Sequence, residues 1–179
     1  MKNFPNVILV SGTGRNVGKT NFVCHLIEQL SFSLRIIALK ISPHFHDEIS
    51  KNEILYQTPK MLVQKETNTK SQKDSSRMLK AGASEVFYIQ VEDEHMSEII
   101  EFLERFNLTT CPVICESASL RRLIKPGIFF FVDNFERSDS DKNYDLRVKA
   151  DIQLHSIQGN ISFNTSNLRF EDYKWLLVN

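Results

Sequence analysis

The stretch Ser11 to Thr20, SGTGRNVGKT, places three glycines, an arginine and a Gly-Lys-Thr tail directly after a run of valine, isoleucine and leucine. A glycine-rich turn between a buried strand and a helix presents several backbone N–H groups, with the positive end of the helix, to one point. That is an anion site. Glycine lets the chain take positive φ and approach a ligand closely. The pattern assigns Gly12, Thr13, Gly14, Arg15, Asn16, Val17, Gly18, Lys19 and Thr20 to a phosphate cradle. In it Lys19 reaches the β- and γ-phosphates of a nucleotide, and the Thr20 hydroxyl is placed to ligate Mg²⁺. The strict form of the pattern asks for glycine five residues before Gly18, where this chain has Thr13. The assignment therefore rests on context: a strand before, a helix after and an intact Gly18-Lys19-Thr20. Arg15 either contacts a phosphate, of its own or a neighbouring subunit, or is a solvated loop arginine.

Other residues have suitable chemistry at suitable places. ALKISPHFHDE, Ala38 to Glu48, ends a second apolar run. In open α/β sheets ligands bind beyond the carboxyl ends of the strands, which puts Lys40, His44, His46 and Asp47 on the cradle's side. Asp47 is a candidate Mg²⁺ contact, and Lys40 and the histidines are candidates for phosphate or substrate contacts. The alternative is a polar loop with solvated histidines. PVICESAS ends a buried run at Glu116, where a carboxylate binds Mg²⁺ directly or through water, or positions a water. Lys19 and Glu116 are thus the candidate catalytic residues, and Thr20, Asp47 and Glu116 the candidate metal ligands. Asp133 and Asn134, ending IFFFVDN, are placed to meet a base or a substrate, while Asp151 in VKAD reads as the polar start of a strand. The phenylalanines at 129, 130 and 131 read as core.

These residues need a scaffold. NVILVS, Asn6 to Ser11, is a short continuous apolar run, as expected of a strand covered on both faces. In KTNFVCHLIEQL, Phe22, Val23, Leu26, Ile27 and Leu30 recur at helical spacing. LRIIALKIS is a second strand, so strand, helix and strand form a βαβ unit and imply a parallel sheet. Between Ile49 and Thr69, Thr58-Pro59 separates two β-favouring runs that read as a hairpin insertion. SQKDSSRMLKAGA reads as a short helix stopped by Gly82. EVFYIQV, CPVICES and PGIFFFVDN read as strands, and EHMSEIIEFLERFN as a helix. SDSDKNYD, Ser138 to Asp145, is a polar loop, ADIQLH and ISFN are late strand candidates, and NLRFEDYKWLLVN fits either helix or strand. The fold class that follows is α/β, a mostly parallel sheet flanked by helices in one domain over residues 1–179.

Lys+Arg and Asp+Glu are both 22, so the chain carries no net charge, which argues against a general affinity for nucleic acid or an anionic membrane. Zero net charge also leaves little electrostatic defence against self-association and favours a homodimer. No apolar run reaches membrane-spanning length, and the N-terminus lacks a signal-peptide pattern. Cys24, Cys111 and Cys115 form no C-x-x-C pair and read as reduced thiols of a cytoplasmic protein.

Counted from Gly12 the loop runs G-T-G-R-N-V-G-K-T, and this resembles the P-loop of dethiobiotin synthetase and its relatives, G-T-x-x-x-V-G-K-T. Lys40, His44, His46 and Asp47 resemble the run after the second strand of the MobB family (molybdopterin-guanine dinucleotide biosynthesis protein B). Asp74-Ser75 followed by Ala81-Gly82-Ala83 resembles that family's stretch before the third strand. Both groups carry Glu-Gly where this chain has Glu116-Ser117. The resemblance implies a P-loop NTPase fold with GTP or ATP and Mg²⁺ as ligands. The MobB likeness implies an adapter that hydrolyses GTP weakly and assists a partner enzyme of cofactor biosynthesis. The dethiobiotin synthetase likeness implies an ATP-dependent ligase or small-molecule kinase, in which Lys40 contacts the acid group of an acceptor.

Overall fold

The computed structural model describes residues 1–45, 53–134 and 143–178. Its centre is β1 (Lys2–Gly12), which feeds the glycine-rich loop and then α1 (Lys19–Leu30). The strand begins before the apolar run, and its register against β7 (Ile124–Asp133) shifts between Phe4 and Ile8. β6 (Val113–Glu116) lies on the other side of β1, and both pairings are parallel. β2 (Ile37–Ser42) pairs in parallel with β6 and with β5 (Glu85–Val91), and β8 (Ile152–His155) extends the sheet in parallel beyond β7. The carboxyl ends of these strands therefore share one edge. The 49–69 stretch supplies β3 (Glu53–Gln57) and β4 (Met61–Lys65), which pair antiparallel with each other, β4 also lying antiparallel to β5. The order across the sheet is β3-β4-β5-β2-β6-β1-β7-β8.

Both faces are covered, and this is why the parallel strands are nearly all apolar. On one face Ile99, Phe102 and Leu103 of α3 (Glu98–Arg105) pack with Leu39, Ile41, Phe87 and Ile89. On the other, Phe22, Val23, Leu26 and Ile27 of α1 pack with Ile8, Val10, Ile114 and Phe130. α2 (Asp74–Lys80) adds Met78 to that second face. It ends in a Schellman motif: Gly82 has φ +107°, its N–H donates to Leu79 and the Ala83 N–H donates to Met78.

The C-terminal third differs in part from the sequence reading. ISFN is not a strand; Phe163 instead stacks edge-on against Phe22 and Phe130, with centroids 5.9 and 5.1 Å away. NLRFEDYKWLLVN resolves into a hairpin of β9 (Leu168–Glu171) and β10 (Lys174–Leu177). Its two turn residues, Asp172 and Tyr173, both have positive φ, as a type I′ turn requires. The polar loop at 138–145 lies mostly outside the described residues, and Tyr144 begins a single-turn helix, α4 (Tyr144–Arg147). Among the described residues no helix is long and apolar enough to cross a membrane.

Candidate functional site

The loop after β1 is held by backbone contacts only glycine permits. A Cβ on Gly12 would sit 2.3 Å from the Val132 carbonyl oxygen, and one on Gly18, at φ +93°, would sit 2.9 Å from that of Gly159. The Thr13 N–H donates to Val132 at 3.1 Å, which pins the loop to β7. Thr13 and Val17 are buried, Val17 within the core, so they shape the loop, while Gly14, Arg15, Asn16, Gly18, Lys19 and Thr20 line a cleft above it. α1 starts at Lys19 behind Gly18, with no side-chain cap and no acidic residue in its first turn. Its positive end is left for an anion. Lys19 arches back and its Nζ hydrogen-bonds the Gly14 carbonyl.

Glu116, the last residue of β6, is almost fully buried beside this helix end. Its Oε2 accepts a hydrogen bond from the Thr20 hydroxyl at 2.8 Å, and its Oε1 meets Lys40 Nζ at 2.6 Å. Lys40 also meets Asp74 Oδ2 at 2.6 Å, and Asp74 in turn is within hydrogen-bonding reach of Thr20. Burial alone would lower the Lys40 pKa, but the Glu116 and Asp74 carboxylates outweigh it and hold the ammonium above its ordinary value. Burial likewise works to raise Asp74, and the Lys40 charge overrides it and holds the carboxyl below its ordinary value.

Asp74, present in the sequence reading only as part of a family-like motif, is a site residue. Lys73 takes the cap position, and Asp74, the first residue of α2, is free to turn toward Lys40. The acidic first turn of a short helix was its signal. Glu66, also unassigned from sequence, is buried just after β4, where it accepts hydrogen bonds from the Ser75 hydroxyl at 2.6 Å and from the Thr67 and Asn68 N–H groups. It ties α2 to the β3–β4 hairpin. Arg77 on α2 reaches Asn21 Oδ1 at 2.6 Å, and Asn21 Nδ2 donates to Gly159 at 2.9 Å. A band of contacts thus clasps the start of α1.

Several expected residues stand elsewhere. His44 lines the outer cleft, whereas His46 and Asp47 lie outside the described residues, so the Asp47 metal assignment is untouched by the geometry. Asp133 is buried and ion-paired with Arg147 at 3.0 Å, and neither it nor Asn134 lines the cleft. Asp151 immediately precedes β8, its Oδ2 accepting the Phe129 N–H at 2.8 Å. Ser117, standing where the resembled families carry glycine, caps the following turn, its hydroxyl accepting the Leu120 N–H at 3.1 Å. Among the described residues no cluster of three or more His, Cys, Asp and Glu could hold a metal alone. Thr20 and Glu116 are oxygen donors of the kind Mg²⁺ takes when it keeps waters and phosphate oxygens as its other ligands.

No protein-family model and no curated protein matches the chain. Among solved structures it is similar to LpxK from Aquifex aeolicus, crystallised as an "apo" form in complex with ATP, at TM-score 0.53 and 16% identity. The match covers 92% of this chain and 53% of that one, so the chain spans about half the length of the protein it matches. At that identity the likeness shows the fold alone: an α/β, mostly parallel sheet flanked by helices.

Proposed function

We propose that the chain is a single domain that binds a nucleoside triphosphate, ATP or GTP, with Mg²⁺ on the Ser11–Thr20 loop and hydrolyses it slowly by itself. The observation that carries this reading is the contact chain Thr20–Glu116–Lys40–Asp74 set against the uncapped start of α1. Fixed N–H dipoles receive the phosphates, and Lys19 leaves Gly14 to meet the charge on the transferring group. Thr20 and Glu116 would hold the metal, which when bound supplies neutralisation of the β- and γ-oxygens. Glu116, paired with Lys40, orients a water. LpxK, whose structure holds ATP, supports the nucleotide.

The MobB motifs favour an adapter of cofactor biosynthesis, homodimeric and cytoplasmic, working with a partner enzyme. A second reading, transfer of the γ-phosphoryl to a small acceptor, is favoured by size. The cleft measures about 1190 Å³, beyond the roughly 300–1,000 Å³ that one ligand of drug size fills. Calorimetry with ATP and GTP, with and without Mg²⁺, tests the common core; absence of binding by either nucleotide sinks it. Tight GTP binding with slow hydrolysis supports the adapter, and ATP turnover that appears only with an added acceptor supports transfer. Light scattering across micromolar concentrations decides the dimer.

A further inference from the structure

Two cations that α2 and β2 bring to the phosphate loop are held to different degrees. Lys40 is fixed, its Nζ lying 2.6 Å from Glu116 Oε1 and 2.6 Å from Asp74 Oδ2. Arg77 is held loosely. Its Nη2 donates to Asn21 Oδ1 at 2.6 Å, and that acceptor is a neutral amide. Its ion pair with Asp74 spans 3.8 Å, too far for a hydrogen bond. A guanidinium carries five N–H donors in a fixed fork, so these contacts engage it only in part. The side chain lines the cleft and is 35% exposed, which leaves it room to move. Its place is the metal end of the cleft. Asp74 and Arg77 stand three residues apart on one face of α2. Asp74 comes within hydrogen-bonding reach of Thr20, and Arg77 rests on Asn21, the next residue of α1.

From this contrast we infer that Arg77 is a catalytic residue, an arginine supplied by the chain itself that leaves Asn21 and sets its fork on the oxygens of the γ-phosphoryl group as that group transfers. The inference rests on the nucleotide reading, whose γ-phosphate end lies at Thr20 and Glu116. In hydrolysis the water oxygen bonds to the γ-phosphorus. The bond from phosphorus to the β–γ bridging oxygen breaks, and its electron pair stays on the diphosphate. The products are the diphosphate, phosphate and a proton released to solvent. On the way, negative charge spreads over the three equatorial oxygens of the moving group. The loop N–H groups and Lys19 meet that charge from the loop. Arg77 meets it from α2, and a planar fork matches two oxygens at once where a lysine supplies a point charge. Asn21 is a suitable resting place, because a neutral amide binds a guanidinium less strongly than a charged phosphoryl oxygen does. Lys40, fixed between its two carboxylate partners, is not placed to make this move. A contact made only with the transferring group raises the rate and leaves binding of the diphosphate unchanged.

The test is calorimetry on the full chain with Mg²⁺ and ADP or GDP, whichever the parent binds, with and without aluminium fluoride, a flat stand-in for the transferring phosphoryl group. The parent is expected to bind the fluoride complex at least about a hundredfold more tightly than the diphosphate alone, as transition-state analogues do. Arg77→Ala is expected to bind the diphosphate within about twofold of the parent and the fluoride complex at least about tenfold more weakly, the worth of one charge-assisted hydrogen bond. Arg77→Gln keeps a donor for Asn21 and loses the charge, and it is expected to show the same split. Thermal melting verifies the folding of both variants, and Arg77→Gln carries the test by itself where Arg77→Ala does not fold. An Arg77→Gln protein with the parent's preference overturns the inference, since Arg77 would then only strap α2 to α1. A diphosphate affinity that falls as far as that of the fluoride complex overturns it too, and so does a parent with no preference for the complex. Failure of the parent to bind either diphosphate is a different result, read in the same titrations, and it overturns the nucleotide reading itself.

Discussion

Lys19 contributes a mobile charge where the rest of the loop contributes fixed dipoles. Its ammonium rests on the Gly14 carbonyl and takes no part in the core, so its loss leaves packing untouched. Lys19→Ala should lower nucleotide affinity about ten- to more than a hundredfold, as expected for a charge-assisted hydrogen bond of roughly 1.5–3 kcal/mol. Its melting temperature without nucleotide should match the parent's. Calorimetry reads the first and thermal scanning the second; unchanged affinity would remove the phosphate cradle. Thr20 plays a different part, its hydroxyl being shared with Glu116 at 2.8 Å. Thr20→Ala should weaken nucleotide binding chiefly in the presence of Mg²⁺, and a titration in EDTA should show the variant and the parent converging.

The elements that present these side chains depend on how they begin and end. α2 carries Asp74 into the site only because Glu66 anchors its start and the Schellman turn at Gly82 closes its end. Gly82 stands at φ +107°, and a Cβ there would lie 2.8 Å from the Ser31 hydroxyl oxygen. Gly82→Ala should cost about 1–2 kcal/mol through the left-handed backbone alone, or about 2–8 °C in melting temperature for a chain of this size. α1 is held by burial of Phe22, Val23, Leu26 and Ile27, all at 0–1% exposure. Leu26→Ala should cost about 2–5 kcal/mol, as for other truncations in close-packed cores. A urea titration checks it, and a loss below about 0.5 kcal/mol, the range of inert surface changes, would mean that the helix is not packed as described.

At the scale of the whole molecule the Lys40–Asp74 pair makes stability depend on pH at both ends. The Asp74 pKa is lowered on folding, so its contribution is present above the ordinary value of 3.8 and is lost as pH falls through the lower folded value. The Lys40 pKa is raised, so its contribution is full below the ordinary 10.5 and is lost as pH climbs through the higher folded value. Stability should therefore run level for this pair from about pH 5 to 9, between the ordinary carboxylate and lysine ranges. Asp74→Asn should flatten the acid limb and bring the alkaline decline to lower pH. Chemical denaturation from pH 3 to pH 11 measures both, and identical profiles for parent and variant would show that the pair contributes nothing.

Local signals were enough for the glycine-rich loop, for the strand before it and the helix after it, and for the helix stop at Gly82. Apolar period, glycine placement and turn chemistry act over a few residues, and they are written directly in SGTGRNVGKT, NVILVS and KAGA. The hairpin at Thr58-Pro59 was legible for the same reason. What surrounds the loop was not. Lys40 looked like a cation awaiting an acid group, Asp74 like part of a family-like motif, and Glu66 like nothing in particular. Their meaning comes from strand order, which brings β4, β5, β2 and β6 side by side although β6 follows β4 in sequence by some 50 residues. A row of side chains across neighbouring strands is a property of register between distant segments, and no local period carries it. Tertiary packing likewise decided ISFN. Phe163 packs edge-on against Phe22 and Phe130, contacts between distant segments that a local β-favouring pattern does not announce.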